Sequence, residues 1–322
     1  LLATVVGLGL VALPATDLQL SMIGDAAGTP GSTQRRAYEQ LSEAFGPGFN
    51  GPLMLVVDAA GSADPQAAAQ RVAQGIAAVP DVVQVTPPTF NQAGDTAILT
   101  VIPATGPSDP ATEDVVHAIR DQAAGIAAAT GATVAVTGST AISIDVSEML
   151  SDAFAPYLAV VVGLAFVLLL LVFRSVLVPL KATLGFLLSV VATFGAVVAV
   201  FQWGWLKDLF GVESTGPIIS VLPILLIGVL FGLAMDYEVF LVTRMREEHV
   251  HGAAPDASVI TGFRHGARVV TAAAIIMVSV FAGFVLSDDS MIQSVGFALA
   301  FGILVDAFVV RMTLVPAVMS LL

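Results

Sequence analysis

Two aspartates stand inside runs that otherwise read as lipid-soluble, and they are the residues best placed to do chemistry. Asp236 lies in "FGLAMDYEVFLVTRMREE" (231–248), with at least fifteen uncharged residues before it and Arg244 eight residues after it. At 1.5 Å per residue it stands about 12 Å from that arginine, near the middle of a ~30 Å hydrocarbon layer. Asp306 lies five residues before Arg311, roughly 7 to 8 Å from the same boundary. A carboxylate at such depth costs at least ~2.5 kcal/mol by insertion scales, so it needs a partner, water or a proton. Desolvation favours the neutral form of a carboxyl group, and a carboxyl group that loads and releases a proton near neutral pH can act as a relay. Tyr237, about 100° round the helix, offers a hydroxyl to pass that proton. The structural alternative is a fixed bond to a neighbouring hydroxyl or to Arg311, and for Asp306 the two readings stand side by side. Glu238 reads as a satisfied or cytoplasm-facing group.

Spacing also assigns the surroundings. Gly228, Gly232 and Asp236 recur every four residues and share one helical face. Ala298, Gly302 and Asp306 repeat the pattern. Each aspartate ends a stripe of small residues, the kind of surface that lets membrane helices pack closely. Both carboxylates are therefore expected to point into helix contacts, and the matched patterns favour two stripes that face each other.

The elements around these residues follow from composition. The chain has 322 residues, 57% hydrophobic and 11% charged, with a mean hydropathy of +0.92, which describes a polytopic membrane protein. It has no cysteine, so disulfide frameworks and thiolate metal sites are excluded. Its net charge is −13, and residues 15–153 hold 15 acidic side chains against 4 basic ones. Phosphate binding needs a basic face, so no nucleic-acid partner is expected.

The chain divides into three segments. Leu1 to Pro14 is apolar but too short to span. It lacks the basic start of a signal peptide, so it reads as the end of a truncated transmembrane helix, and the chain as a piece of a longer protein. Residues 15–153 read as an outer α+β domain. A helix is expected over 32–45, strands over 52–58, 81–87, 96–103 and 133–138, and helices over 64–79 and 109–130. The last two begin with Asp64-Pro65 and Asp109-Pro110, an N-cap followed by an N1 proline. The order β-α-β-β-α-β is the split βαβ, ferredoxin-like arrangement. Residues 154–322 form a five-helix transmembrane bundle, with spans at about 154–173, 175–201, 217–243, 268–287 and 291–314.

Arg174 and Lys181 flank one short connection; Arg244, Arg246, Arg264 and Arg268 flank the loop 244–267. The positive-inside rule makes both cytoplasmic and puts residues 15–153, 202–216 and Asp288-Asp289 outside. Trp203 and Trp205 fit an outer aromatic belt. The stretch 256–266 reads as an interfacial helix along the inner leaflet.

Other chemistries find little support. His249 and His251 are two imidazoles on a loop without a third ligand, so no metal site is expected. There is no P-loop lysine motif, nucleophile elbow or Ser-His-Asp arrangement, and no enzyme or cofactor is expected. Met235 and Met245 read as core filler.

"GLAMDYEVFLVTRMREE" resembles the MMPL family (mycobacterial membrane protein, large) of the RND transporter superfamily. That family carries an Asp-Tyr pair in the fourth helix of each six-helix half, followed by a cytoplasmic Arg- and Glu-rich stretch. Here Asp236, Tyr237, Arg244, Arg246, Glu247 and Glu248 occupy those places. "GARVVTAAAIIMVSVFAGF" (266–284) and "GILVDAFVVRMTLVP" (302–316) are similar to the two helices that follow. One helix, a large outer domain and five helices make up the family's half-repeat, and the details resemble the C-terminal half.

The resemblance implies proton-motive-force-driven export of lipids or other hydrophobic molecules across a bacterial inner membrane. It places Asp236 and Tyr237 in the proton relay, and Asp306 is added to that relay from its own depth and helical phase. It implies a partner Asp-Tyr pair on the other half of the same transporter, and an outer domain that collects substrate from the membrane as a porter module. It fixes neither the substrate nor the oligomeric state. Two alternatives share the superfamily: a non-transporting lipid- or sterol-sensing module, and a translocation auxiliary of the SecD/SecF kind.

Overall fold

The computed structural model describes residues 2–22, 28, 31–250 and 255–319, with side chains except those at 173, 178, 237–242, 244–250, 255–265 and 318–319. The chain forms two compact units, Ser21–Met149 and Leu1–Leu20 with Leu150–Leu322.

The chain opens with helix α1 (Leu2–Ala12), a 3₁₀ turn (Leu13–Asp17) and the short strand β1 (Leu20–Ser21). Within the unit Ser21–Met149, helix α2 (Thr33–Phe45) starts where Ser32 Oγ accepts from Arg35 N–H at 3.1 Å. Then come β2 (Leu53–Asp58), α3 (Pro65–Ala77), β3 (Val82–Val85), β4 (Thr89–Phe90), β5 (Thr96–Pro103), α4 (Pro110–Thr130) and β6 (Thr133–Thr137). Asp64 and Asp109 start α3 and α4 by accepting from the N–H groups of Ala67 (3.0 Å) and Ala111 (2.9 Å). Pro65 and Pro110 follow, at a position whose N–H would be unpaired in any case. Helix α4 ends on Gly131 at φ 70°, a left-handed conformation that glycine adopts without Cβ strain.

The main sheet runs β3-β5-β2-β6 with antiparallel pairs throughout, and β4 adds to β5. The period of two puts Leu53, Leu55 and Val57 on one face of β2 and Ala97, Leu99 and Val101 on the matching face of β5. These pack against Val72 and Ile76 of α3 and Val115, Val116 and Ile119 of α4. Each Leu, Ile or Val in this cluster is fully buried or nearly so, contributing about 1.5–3 kcal/mol.

Helix α5 (Ser139–Phe173) is continuous for 35 residues, passing through Pro156. The span expected from about 154 is thus the second half of a longer helix. Its first turns are polar and carry Asp145, which takes a bidentate pair from Arg120 of α4 at 2.6 and 2.9 Å. Those hydrogen bonds push the Arg120 guanidinium above its ordinary value.

In the other unit, α6 (Leu177–Val197) runs into a π-helical turn (Val198–Gln202), followed by α7 (Lys207–Phe210) and β7 (Ile218–Ile219). Ile218 N–H donates to Gln19 O at 2.9 Å. Then come α8 (Leu222–Val250), α9 (Pro255–Phe284), α10 (Ser290–Leu304), a π-helical stretch (Val305–Leu314) and α11 (Val315–Met319). Among the described residues, four helical stretches are long and apolar enough to cross a membrane: 139–172, 179–202, 266–284 and 290–317. The described apolar part of α8 is Leu222–Asp236. Helix α6 is central: Gly195 lies against the α1 backbone at Val11 and Ala12, and Leu8 joins Ala192, Val305, Val310 and Val315 in one cluster. Helices α5 and α9 turn Leu164, Leu171, Ile276 and Val280 outward, the arrangement of residues whose solvent is lipid.

Two expectations change in detail. Most of 244–267 is helical, with α8 reaching Val250 and α9 starting at Pro255; residues 251–254, including His251, lie outside the described residues. The stretch 256–266 is no separate interfacial helix but the first turns of α9. The break is absent because Gly262 and Gly266 lower helix propensity without removing a backbone hydrogen bond, as an internal proline would. Asp289 caps α10, accepting from Met291 and Ile292 N–H at 2.9 and 3.0 Å. Trp203 and Trp205 are exposed, with ring centroids 5.4 Å apart.

Candidate functional site

Helix α8 buries one face and leaves another open. Leu226, Ile227, Leu230 and Ala234 face the bundle core. Gly228, Gly232 and Asp236 are all exposed, as one continuous face. A Cβ added at Gly232 would meet nothing within 4 Å, and one at Gly228 would approach only the Tyr157 hydroxyl of α5, at 2.8 Å. No described side chain pairs with Asp236. The side chains of Tyr237, Glu238, Arg244, Met245, Arg246, Glu247, Glu248 and His249 lie outside the described residues.

The second stripe is closed. Ala298 is fully buried, and a Cβ on Gly302 would lie 2.6 Å from Leu230 Cδ1 and 3.1 Å from Thr193 Oγ1. Thr193 belongs to a similar repeat on α6, where Gly185, Ser189 and Thr193 also recur every four residues. A Cβ on Gly185 would meet Val310 Cγ1 at 2.8 Å. The two α6 hydroxyls turn back onto their own helix, Ser189 to Gly185 O at 3.2 Å and Thr193 to Ser189 O at 2.7 Å. That satisfies polar groups which an apolar core would otherwise leave unpaired. The α6 stripe was legible as a four-residue repeat but carries no charge to draw notice.

The expected face-to-face arrangement of the two aspartate stripes is therefore absent. Where α8 meets α10 it presents Leu230, about 200° round the helix from Gly228. The packing expected around Asp236 is not made by the described residues, whereas the packing around Asp306 is.

Asp306 and Arg311 are both buried, at 6% and 3% exposure, and form an ion pair with Arg311 Nε 2.5 Å from Asp306 Oδ2. On a regular α-helix residues five apart lie about 140° from each other. The π-helical stretch Val305–Leu314 is wound with i→i+5 bonds, which bring such residues onto one side. Asp306 Oδ1 is screened from solvent and accepts no hydrogen bond from the described residues. Of the two readings open to Asp306, the geometry contains the fixed bond to Arg311.

The MMPL family model matches residues 27–322. "Membrane protein YdfJ" of Bacillus subtilis is 47% identical over 313 residues, 97% of this chain and 43% of that protein. "Mycolic acid-containing lipids exporter MmpL11" of Mycolicibacterium smegmatis is 36% identical over 326 residues, 99% of this chain and 34% of that protein. "Heme uptake protein MmpL11" of Mycobacterium tuberculosis is 39% identical over 291 residues, 89% of this chain and 30% of that protein. The chain thus spans less than half the length of each of these relatives.

Proposed function

This chain belongs to the MMPL family, and from that premise we propose that it is one half of a transporter that exports lipids or other hydrophobic molecules, driven by the proton gradient. The observation that carries the reading is Asp236, an exposed acidic side chain ending the Gly228–Gly232 face of a membrane helix, a face whose glycines the described residues approach only at the Tyr157 hydroxyl.

A charged Asp236 resists desolvation, so a close apolar contact on that face is disfavoured. A protonated Asp236 removes that cost. The face can then take two packing states, and proton binding selects between them by its different affinity for each. Tyr237 passes the proton. Asp306 enters as a fixed ion pair with Arg311 within the π-helical stretch that continues α10. The complementary face, with its own titratable groups, belongs to the other half of the transporter. The chain's coverage of under half of its relatives supports this.

The unit Ser21–Met149 is, in this reading, an extracytoplasmic porter domain of ferredoxin-like type. Its β-α-β-β-α-β order, its sheet order and its acidic balance support that. Lipid as substrate is supported by the name of the Mycolicibacterium smegmatis relative, and heme is the second candidate because the Mycobacterium tuberculosis relative is named for its uptake.

Reconstitution of the full-length protein in liposomes tests the proposal. A fluorescent lipid should leave the donor membrane only under an imposed pH gradient, and an uncoupler should stop it. Lipid binding without gradient-dependent movement would identify a sensing module instead. Movement of heme and not of lipid would replace the substrate class.

A further inference from the structure

Helix α4 and the polar start of α5 bring together three side chains that the transport reading does not use. Glu113 and His117 are four residues apart on α4 and share a face. Glu148 reaches them from α5. His117 Nε2 lies 2.8 Å from Glu148 Oε1 and 3.8 Å from Glu113 Oε1. One ligand atom from each residue falls within 4.8 Å of the others.

We propose that Glu113, His117 and Glu148 form a binding site for a divalent transition metal, with Zn²⁺ as the best-matched ion. Ligands held at about 2.0–2.2 Å round a tetrahedral cation stand about 3.3–3.6 Å apart. The observed separations fall on either side of that. Glu148 Oε1 is screened from solvent and accepts no hydrogen bond of good geometry from the described residues, with His117 Nε2 2.8 Å away. One imidazole and two carboxylates suit a borderline cation better than Mg²⁺ or Ca²⁺, which select all-oxygen sets. The three side chains are 36–47% exposed, which leaves a fourth position open to water. A bound ion ties α4 to α5 beside the Arg120–Asp145 pair, on the helix that continues to Phe173. The sequence hid the set because Glu148 comes 31 residues after His117.

Titration of the full chain, untagged and in detergent, with Zn²⁺ by calorimetry and with Co²⁺ by visible absorption tests this. One ion should bind per chain at this cluster. H117A and E148Q should each weaken binding by at least about tenfold while the circular dichroism spectrum is kept. H249A/H251A and Asp145→Asn should leave it unchanged. No binding by the parent chain overturns the proposal and leaves an exposed ion-pair cluster. So does binding that survives both H117A and E148Q, or that disappears in H249A/H251A.

Discussion

The two aspartate stripes have the same spacing and the same kinds of residue, yet one is closed and the other open. Gly302 is covered by Leu230 of α8 and Thr193 of α6, Ala298 is fully buried, and Asp306 is matched by Arg311. Gly228, Gly232 and Asp236 are exposed along their whole length. A repeat of small residues thus specifies a smooth helical face but not what covers it. The closed stripe is packed within this bundle, and the open one is the surface that the proposed function assigns to another part of the protein.

The largest expected break in this comparison is at Arg311. Arg311→Met leaves Asp306 buried and unpaired, and should lower the unfolding free energy by about 3–5 kcal/mol. The double variant R311M/D306L should recover most of that, since a well-packed apolar pair replaces a buried ion pair at little cost. Chemical denaturation of the chain in detergent measures both. A single variant as stable as the parent would show that the ion pair does not hold the closed stripe.

Glycine substitutions sharpen the contrast at the next level. Gly302→Val puts atoms into space held by Leu230 and Thr193 and should cost about 1–3 kcal/mol. Gly232→Ala meets nothing within 4 Å, so it should leave the chain's stability unchanged or raise it by up to about 1 kcal/mol through helix propensity. If the two variants destabilise equally in the same assay, the open face is covered after all.

The smallest effect lies away from both stripes and calibrates them. The Asn91 side chain donates to Asp95 Oδ1 at 2.7 Å and lowers the Asp95 pKa from its ordinary 3.8. A depressed carboxyl pKa contributes stability above the unfolded value and loses it as pH falls through the folded one. Asn91→Ala should therefore narrow its gap from the parent as pH drops below about 3.8, and it should leave the Arg311 and Gly302 effects unaltered. A gap that widens in acid contradicts the assignment.

Much of the unit Ser21–Met149 was legible because its signals are local. Asp64-Pro65 and Asp109-Pro110 start helices through bonds made within three residues. The alternation in "LMLVVD" marks the buried face of β2. The start of α5 was missed because its first turns are polar, so only the apolar half registers as a span. The Asp306–Arg311 pair was legible as a possibility only. Its formation depends on π winding, which no residue type in 305–314 signals. What faces Asp236 could not be read, since periodicity reports a face and tertiary packing supplies its neighbour.

Proton flux through the full-length transporter tests the central claim most directly. Parent and Asp236→Asn proteins would be placed in liposomes containing a pH-sensitive dye, under an imposed gradient. The open-face account predicts that Asp236→Asn unfolds within about 0.5 kcal/mol of the parent, as an exposed side chain should, and loses substrate-stimulated proton flux. Parent-rate flux in a folded Asp236→Asn protein would contradict it.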